Sequence, residues 1–295
     1  MTSLSLLAAV APCSLNLLAD VQAMLQYDFM RAAFLTATVT AVLAGLVGYF
    51  VVLRQVAFAG DTLSHVAFTG SLFALILGLN PLVGLFGLTA LGGLGMGLLG
   101  ERARARDEAI GTLLAWVLGL GALFLSLYTT SGNAANSAIG VNVLFGSIFG
   151  LTAAQVHLTL VGGGVAIALL LLLARPLLFA SLDPDVAAAH GVPVRALSAV
   201  FLLLVGITVA EAVPAVGALL VFSLLITPAA IAQRLLPRPF PALLLSALLA
   251  LLLALVGLTL GFYTPYPVSF LITALATLAY TTMWLWQRLV RPRAH

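Results

Sequence analysis

One short stretch of the sequence combines residue types that could bind a metal ion. In Gly60–His65, beside an apolar run, Asp61 and His65 are four residues apart. On a helix, that spacing places both side chains on one face. A carboxylate oxygen and an imidazole nitrogen together suit a borderline divalent ion such as Zn²⁺ or Mn²⁺. The alternative is a polar pair at a helix start, with Asp61 as the N-cap and His65 hydrogen-bonded nearby.

A second carboxylate adjoins an apolar run, where a charge is costly and usually has a function. Glu211 lies in Val209–Pro214, at the outer end of a predicted membrane span. It is either an exposed carboxylate in a turn, or a ligand or gate residue at the mouth of a pathway. His65 is predicted to lie nearer the cytoplasmic end of its helix. Asp61 and His65 therefore need not cluster with Glu211, and two successive stations along one path are the safer interpretation.

The elements that must hold these residues are membrane-spanning helices. Of the 295 residues, 63% are hydrophobic and 7% are charged, and the mean hydropathy is +1.21. A soluble domain has about 25% charged residues, so this chain has too little polar surface to form a water-soluble globule. Apolar stretches of about 20 residues each predict an all-α, polytopic transmembrane bundle of about nine spans, within a range of eight to ten.

Polar and turn-forming residues separate the predicted spans. The spans are Met30–Leu53, Thr62–Leu79, Pro81–Leu99, Ala109–Tyr128, Gln155–Arg175, Ala196–Ala210, Val213–Gln233, Pro241–Gly261 and Val268–Gln287. The apolar run that ends at Gly150 is too short to span, so we expect a re-entrant or interfacial helix that packs on the bundle. Residues 1–28 are predicted to be an interfacial or outer segment, 29–290 the transmembrane domain and 291–295 a cytoplasmic tail.

Positive charges predict the orientation of the chain in the membrane. All twelve basic residues are arginines, and nine spans with a cytoplasmic C-terminus place eleven of them in the cytoplasm. Only Arg31 then lies outside. Because positive residues stay in the cytoplasm during insertion, this asymmetry predicts the topology of an integral membrane protein. The arginines are spread over short loops without interleaved aromatic residues, which argues against a nucleic-acid-binding protein.

One predicted cytoplasmic loop contains a short helix between two spans. Asp183 suits the N-cap, Pro184 suits the first turn, and Asp185 favours the helix N-terminus electrostatically. Gly191 suits the position after the helix, and Pro193 prevents continuation. The helix is either an ordinary capped connector or a knob that docks into a cytoplasmic partner. The sequence has no lysine-containing phosphate loop, so ATP-driven transport would need a separate ATPase chain.

Three motifs together carry a resemblance to a known family. They are Phe58–His65, Leu182–Val192 and Val216–Ala230, with support from Leu144–Ile148. On these residues, the chain resembles a permease of the zinc, manganese and iron family of ATP-binding-cassette importers. The resemblance covers most of the chain. Glu211 departs from the family pattern, in which many members have an uncharged residue such as Gln at this position.

The resemblance implies a membrane subunit that imports a divalent ion (zinc, manganese or iron) by alternating access. It implies a homodimer of this chain, two cytoplasmic ATPase subunits that bind ATP, and an extracytoplasmic metal-binding protein. Asp61 and His65 match the family's polar pair, which favours a metal-path role for both. The short loop helix would be the coupling helix that docks into the ATPase. Its assigned coupling residues are Asp183, Pro184, Asp185, Ala188, His190 and Gly191.

On this interpretation, the chain is a transport subunit of the bacterial cytoplasmic membrane and not an enzyme. It has no permanently bound cofactor, and the metal ion is its cargo. A rival interpretation is a secondary transporter that exchanges cations for protons, with Asp61 as the proton carrier. A third is a structural membrane subunit without a transport path, which would tolerate Asp61→Asn and His65→Ala.

Overall fold

The computed structural model describes residues 24–98, 103–130 and 142–290 as a bundle of α-helices without a strand in those ranges. The all-α prediction is confirmed. A 3₁₀ turn, Ile148–Gly150, precedes the fifth helix. The helices are α1 Asp28–Leu53, α2 Ala57–Ile76, α3 Pro81–Leu98, α4 Ala103–Thr130, α5 Ala153–Leu182, α6 Pro184–Ala189, α7 Val194–Val216, α8 Val221–Leu235, α9 Pro239–Tyr263 and α10 Val268–Val290.

Within these ranges, seven helices are long and apolar enough to cross a membrane: α1, α3, α4, α5, α7, α9 and α10. Two further helices coincide with predicted spans: α2, which carries several polar residues, and α8, which has 15 residues. At about 1.5 Å per residue, α8 is shorter than a hydrocarbon core of about 30 Å. The multi-pass bundle is confirmed, whereas nine spans and a cytoplasmic C-terminus remain predictions.

The predicted boundary between the sixth and seventh spans was wrong. α7 continues past Ala210 to Val216, with Pro214 inside its last turns. The residues from Val213 onward that were predicted to open the next span therefore belong to α7. A proline removes one backbone hydrogen bond and bends a helix, and neighbouring helices in a membrane protein hold such a segment in place. Glu211 consequently lies inside a helix.

Two other boundaries also differ from the predictions. α2 begins at Ala57, so Thr62 lies inside the helix and not at its start. α5 continues past Arg175 to Leu182, with Pro176 inside it. In both cases the helix continues beyond the predicted span, because backbone hydrogen bonds and packing against neighbouring helices stabilise the added turns.

Glycines set the register between α3 and α7. A Cβ on Gly93 would clash with the backbone at Leu202, and a Cβ on Gly206 would clash with the backbone at Thr89. Such small residues let membrane helices approach backbone to backbone. The two contacts run in opposite directions along the chain, so α3 and α7 pack antiparallel in a defined register.

The segment 142–150 packs on the bundle, as predicted for a piece too short to span. The Ser147 amide donates to the Pro214 carbonyl at 3.0 Å, and the Ala218 amide donates to the Val143 carbonyl at 3.2 Å. Residues 142–145 are helical, and the unpaired backbone groups at the end of such a short helix need partners because lipid offers no hydrogen bonds. The backbone amides just before the short α8 therefore find hydrogen-bond acceptors in this segment.

Two glycines make this pairing possible. Gly146 and Gly217 have φ angles of +75° and +94°, which side chains with a Cβ rarely adopt. A Cβ on Gly146 would also meet the Ala215 carbonyl oxygen at 2.6 Å, and a Cβ on Gly217 would meet the backbone at Phe145. A substitution at either position would therefore force the two segments apart.

The chain ends lie largely outside the described residues. The predicted N-terminal segment is described only from Met24, which is buried. Arg31, predicted to face outside, is exposed and pairs with Asp28 at 3.6 Å. The predicted tail at 291–295 and the polar loop residues 131–141 are not among the described residues.

Candidate metal-ion path

Asp61 and His65 share one face of α2, as predicted. The distance between Asp61 Oδ1 and His65 Nε2 is 4.0 Å, and the two side chains are 35% and 16% exposed, respectively. The capping alternative was wrong in one respect, because the N-cap of α2 is Val56 and Asp61 lies one turn inside the helix. Asp61 is therefore not engaged in capping the helix start.

Neighbouring polar side chains of α2 are satisfied by their own helix. Thr62 Oγ1 donates to the Phe58 carbonyl at 2.9 Å, and Ser64 Oγ donates to the Gly60 carbonyl at 3.1 Å. Such bonds to the preceding turn are usual for hydroxyl residues in helices. The acceptor groups that stay available for a cation on this face therefore belong to Asp61 and His65.

The pair forms half of a metal site. In the described part of the chain, no group of three or more His, Cys, Asp and Glu side chains is placed to hold a metal ion. Zn²⁺ sites have about four ligands and Mn²⁺ sites about six. Asp61 and His65 therefore suit transient binding completed by water or by another chain.

Glu211 is buried in α7, which excludes the alternative of an exposed carboxylate in a turn; its role as a ligand or gate residue stays a prediction. Its side chain is 2% exposed, and neither carboxylate oxygen has a hydrogen-bond partner. Both oxygens face α5, where they would contact a Cβ on Gly162 or Gly163. Burial follows from the continuation of α7 through Pro214, which places Glu211 between helices.

The helix register separates Glu211 from the Asp61–His65 pair. Extending the α3–α7 register by about one turn places Glu211 level with Gly84 of α3, which in turn packs against Gly70 of α2. Gly70 lies five residues after His65 and nine after Asp61. At 1.5 Å per residue, Glu211 lies about 7 Å from the level of His65 and about 13 Å from the level of Asp61, measured along the bundle. This placement agrees with two stations and not with one cluster.

A cavity with a mixed polar and apolar lining lies beside the C-terminal end of α7. Its volume is about 280 Å³, and its lining includes Ser71, Asn142, Ser147, Gln155 and Pro214. These residues come from α2, from the segment 142–150, from α5 and from α7. Sequence analysis missed the cavity, because a few polar residues spread over three separate elements give no local pattern.

The predicted short helix after α5 is present as α6. Asp183 caps it by accepting a hydrogen bond from the Val186 amide at 3.0 Å, and Pro184 occupies the first position. Gly191, after the helix end, has a φ angle of +82°. These features confirm the predicted caps.

One side of α6 is anchored and the rest is exposed. Ala187 is fully buried, and His190 Nδ1 lies 2.9 Å from the Val186 carbonyl oxygen. Asp185 and Ala188 are exposed. The helix is thus held rigidly against the bundle while most of its residues remain free to contact a partner.

Comparison with known proteins identifies the family of the chain and its relatives. Residues 26–287 match the ABC 3 transport family. The chain is 28% identical over 240 residues to the manganese transport system membrane protein MntC of Listeria monocytogenes, covering 80% of this chain and 83% of that protein. It is 31% identical over 239 residues to the manganese import system permease protein ScaB of Streptococcus parasanguinis, with coverage of 80% and 83%.

A solved structure shares the fold. PsaBC from Streptococcus pneumoniae in complex with Fab superposes with a TM-score of 0.79 at 24% identity, covering 93% of this chain and 99% of that chain. The predicted family, the transport role in place of an enzymatic one, and the location in a bacterial membrane are confirmed by these matches and by the seven apolar helices. The chain belongs to the ABC 3 transport family, as a multi-pass permease subunit of the bacterial cytoplasmic membrane.

Proposed function

We propose that this chain is the membrane subunit of an ATP-driven importer of manganese ions. The observation that carries the proposal is the Asp61–His65 pair, half-buried on α2 with its acceptor atoms 4.0 Å apart. Related permeases are named for manganese transport or import. Zinc and iron are the other cargoes that a carboxylate and an imidazole suit.

The geometry of the pair suits brief binding. Ligand atoms lie about 2.1 Å from a bound transition-metal ion, so a small approach of Asp61 and His65 would bring both onto one ion. Water would complete the coordination, because both side chains remain partly exposed. A conduction path needs binding that favours entry and is weak enough to allow release. Two protein ligands per chain meet that requirement.

A second copy of this chain would supply the same pair again. In a symmetric dimer, one surface meets its own copy, so a site on the axis would have two carboxylates and two imidazoles. The partial exposure of Asp61 and His65 supports this arrangement, because part of each side chain stays open to a neighbouring chain. An extracytoplasmic metal-binding protein would deliver the ion.

ATP hydrolysis would act through α6. A rigid, exposed helix between two long helices can transmit the motion of a bound ATPase to both. The buried Ala187 ties α6 to the bundle, whereas Asp183, Asp185 and Ala188 are exposed for contact. In this proposal, the ATP-binding sites are on two partner subunits and this chain supplies the path.

The test is the metal content of whole cells, measured by mass spectrometry under chelation. A deletion strain should lose manganese, the wild-type chain should restore it, and Asp61→Asn should not, at equal membrane abundance. A deficit in zinc or iron in place of manganese would identify that metal as the cargo. Unchanged content of all three metals would contradict the proposal. Uptake that persists in ATP-depleted cells and stops with a protonophore would favour a proton-coupled secondary transporter.

A further inference from the structure

We propose that Glu211, Thr36 and Thr40 form a second, all-oxygen site for the transported cation, outward of the Asp61–His65 pair. The inference rests on the proposed function, since it adds a station to the same path. The three residues come from α7 and α1 and carry four oxygen atoms that are buried without a hydrogen-bond partner.

The two threonines differ from most of the buried threonines among the described residues. Thr62, Thr89 and Thr208 each donate to the carbonyl four residues earlier. Thr36 and Thr40 are each 1% exposed, yet their Oγ1 atoms have no partner. A buried hydroxyl without a partner costs free energy. Two of them, one turn apart on one face, indicate a shared ligand.

Gly163 of α5 connects that face of α1 with Glu211. A Cβ on Gly163 would lie 2.5 Å from Val39 Cγ1 and 2.8 Å from Glu211 Oε2. Helical spacing puts Thr36 on the same side of α1 as Val39, and it puts Thr40 one turn after Thr36. α1, α5 and α7 also pack against one another in pairs. Gly163 thus lies between Glu211 and the part of α1 that carries the two threonines, and we assign the carboxylate and both hydroxyls to one layer of the bundle, beside the glycines of α5.

Charge makes this layer a cation site. An ionised carboxylate buried without donors is strongly unfavourable, whereas a paired one is tolerated. The ion pairs found among the described residues are Arg31 with Asp28 and His65 with Asp61, and neither includes Glu211. A bound cation would supply the missing positive charge and give the two hydroxyl oxygens a partner at the same time.

In the predicted orientation of the chain, the cavity at the C-terminal end of α7 offers access from outside. Its lining includes Val213 and Pro214, the residues two and three positions beyond Glu211. An ion that entered there would reach Glu211 before it reached His65. Because the ligands are all oxygen, the site favours a hard ion such as Mn²⁺ over ions that prefer nitrogen or sulfur.

The experiment measures Mn²⁺ bound to the purified transporter in nanodiscs, without ATP, by electron paramagnetic resonance. Asp61→Asn with His65→Ala removes the inner pair, and the remaining Mn²⁺ signal is expected to be protein-bound. Adding Glu211→Gln should abolish that signal. Adding Glu108→Gln, which changes an exposed carboxylate at the start of the apolar part of α4, should leave it unchanged.

Thr36→Val with Thr40→Val gives a second test, because valine keeps the shape of threonine and removes the hydroxyl. This pair should weaken Mn²⁺ binding in the same background even if Glu211→Gln fails to fold. The inference is overturned if the background variant binds no Mn²⁺, or if it binds equally well with Glu211→Gln or without both hydroxyls. Failure of the proposed function would show instead as normal uptake by Asp61→Asn.

Discussion

The Asp61–His65 pair and Glu211 place the same chemical group in opposite environments. The Asp61 side chain is 35% exposed and lies 4.0 Å from an imidazole on its own helix. Glu211 is 2% exposed, and its oxygens have no partner. The first carboxylate keeps part of its water and needs little from other helices. The charge of the Glu211 carboxylate must be compensated by something that enters the bundle, because no described basic side chain pairs with it.

This difference assigns different tasks to the two sites. A partly hydrated pair can accept and release an ion with small changes in coordination, which suits passage. A buried carboxylate is neutralised by a proton or by a cation, and a cation that binds at the proposed Glu211 site would have to lose water, so such a site would discriminate by size and ligand preference. Two substitutions separate these tasks and a third tests α6 with both sites left intact; their expected effects decrease in the order given.

The largest effect is expected for His65→Ala. The variant should assemble in the membrane but lose manganese uptake, since the remaining carboxylate alone holds an ion poorly. The measurement is uptake of radioactive manganese by cells that contain equal amounts of each protein.

His157→Ala is the matched control, because His157 is an exposed histidine on α5. It should transport like the wild-type chain. Normal uptake by His65→Ala would show that His65 is not a metal ligand and would favour a structural role for the pair.

An intermediate effect is expected for Gly163→Ala. The new Cβ would press on Val39 Cγ1 and on Glu211 Oε2, and overpacking in a core typically costs about 1–3 kcal/mol. Both neighbours are side-chain ends that can shift, so we expect a folded protein with reduced uptake. Thermal stability in detergent and uptake are the two measurements.

Gly164→Ala provides the control, because a Cβ there meets nothing within 4 Å. It should leave uptake unchanged and stability unchanged or slightly higher, since alanine favours helix. Equal behaviour of the two variants would show that Glu211 does not depend on its glycine neighbours.

The smallest effect is expected for Asp183→Ala, which leaves both candidate sites intact. Loss of the bond to the Val186 amide removes an N-cap worth about 1 kcal/mol. The frayed α6 should lower ATPase-coupled uptake modestly without changing Mn²⁺ binding. Asp185→Ala retains the cap and should have less effect; a larger loss with Asp185→Ala would indicate direct contact with the ATPase in place of capping.

Local features of this protein could be predicted from sequence because their causes are local. The face shared by Asp61 and His65 follows from helical spacing, and the caps of α6 follow from Asp183, Pro184 and Gly191. Apolar runs predicted each long helix to within several residues. The boundary at Pro214 was wrong because the neighbours that stabilise the end of α7 come from elsewhere in the chain.

The sequence by itself determined that the chain is an all-α membrane protein, where its apolar helices lie and that Asp61 and His65 form a pair. These properties depend on composition and on spacing within one helix. Only the tertiary structure decided that Glu211 is buried, that it faces Gly162 and Gly163, and that Thr36 and Thr40 have no partners. Burial and unmet hydrogen bonds depend on which helices meet, and no single segment of the sequence encodes that.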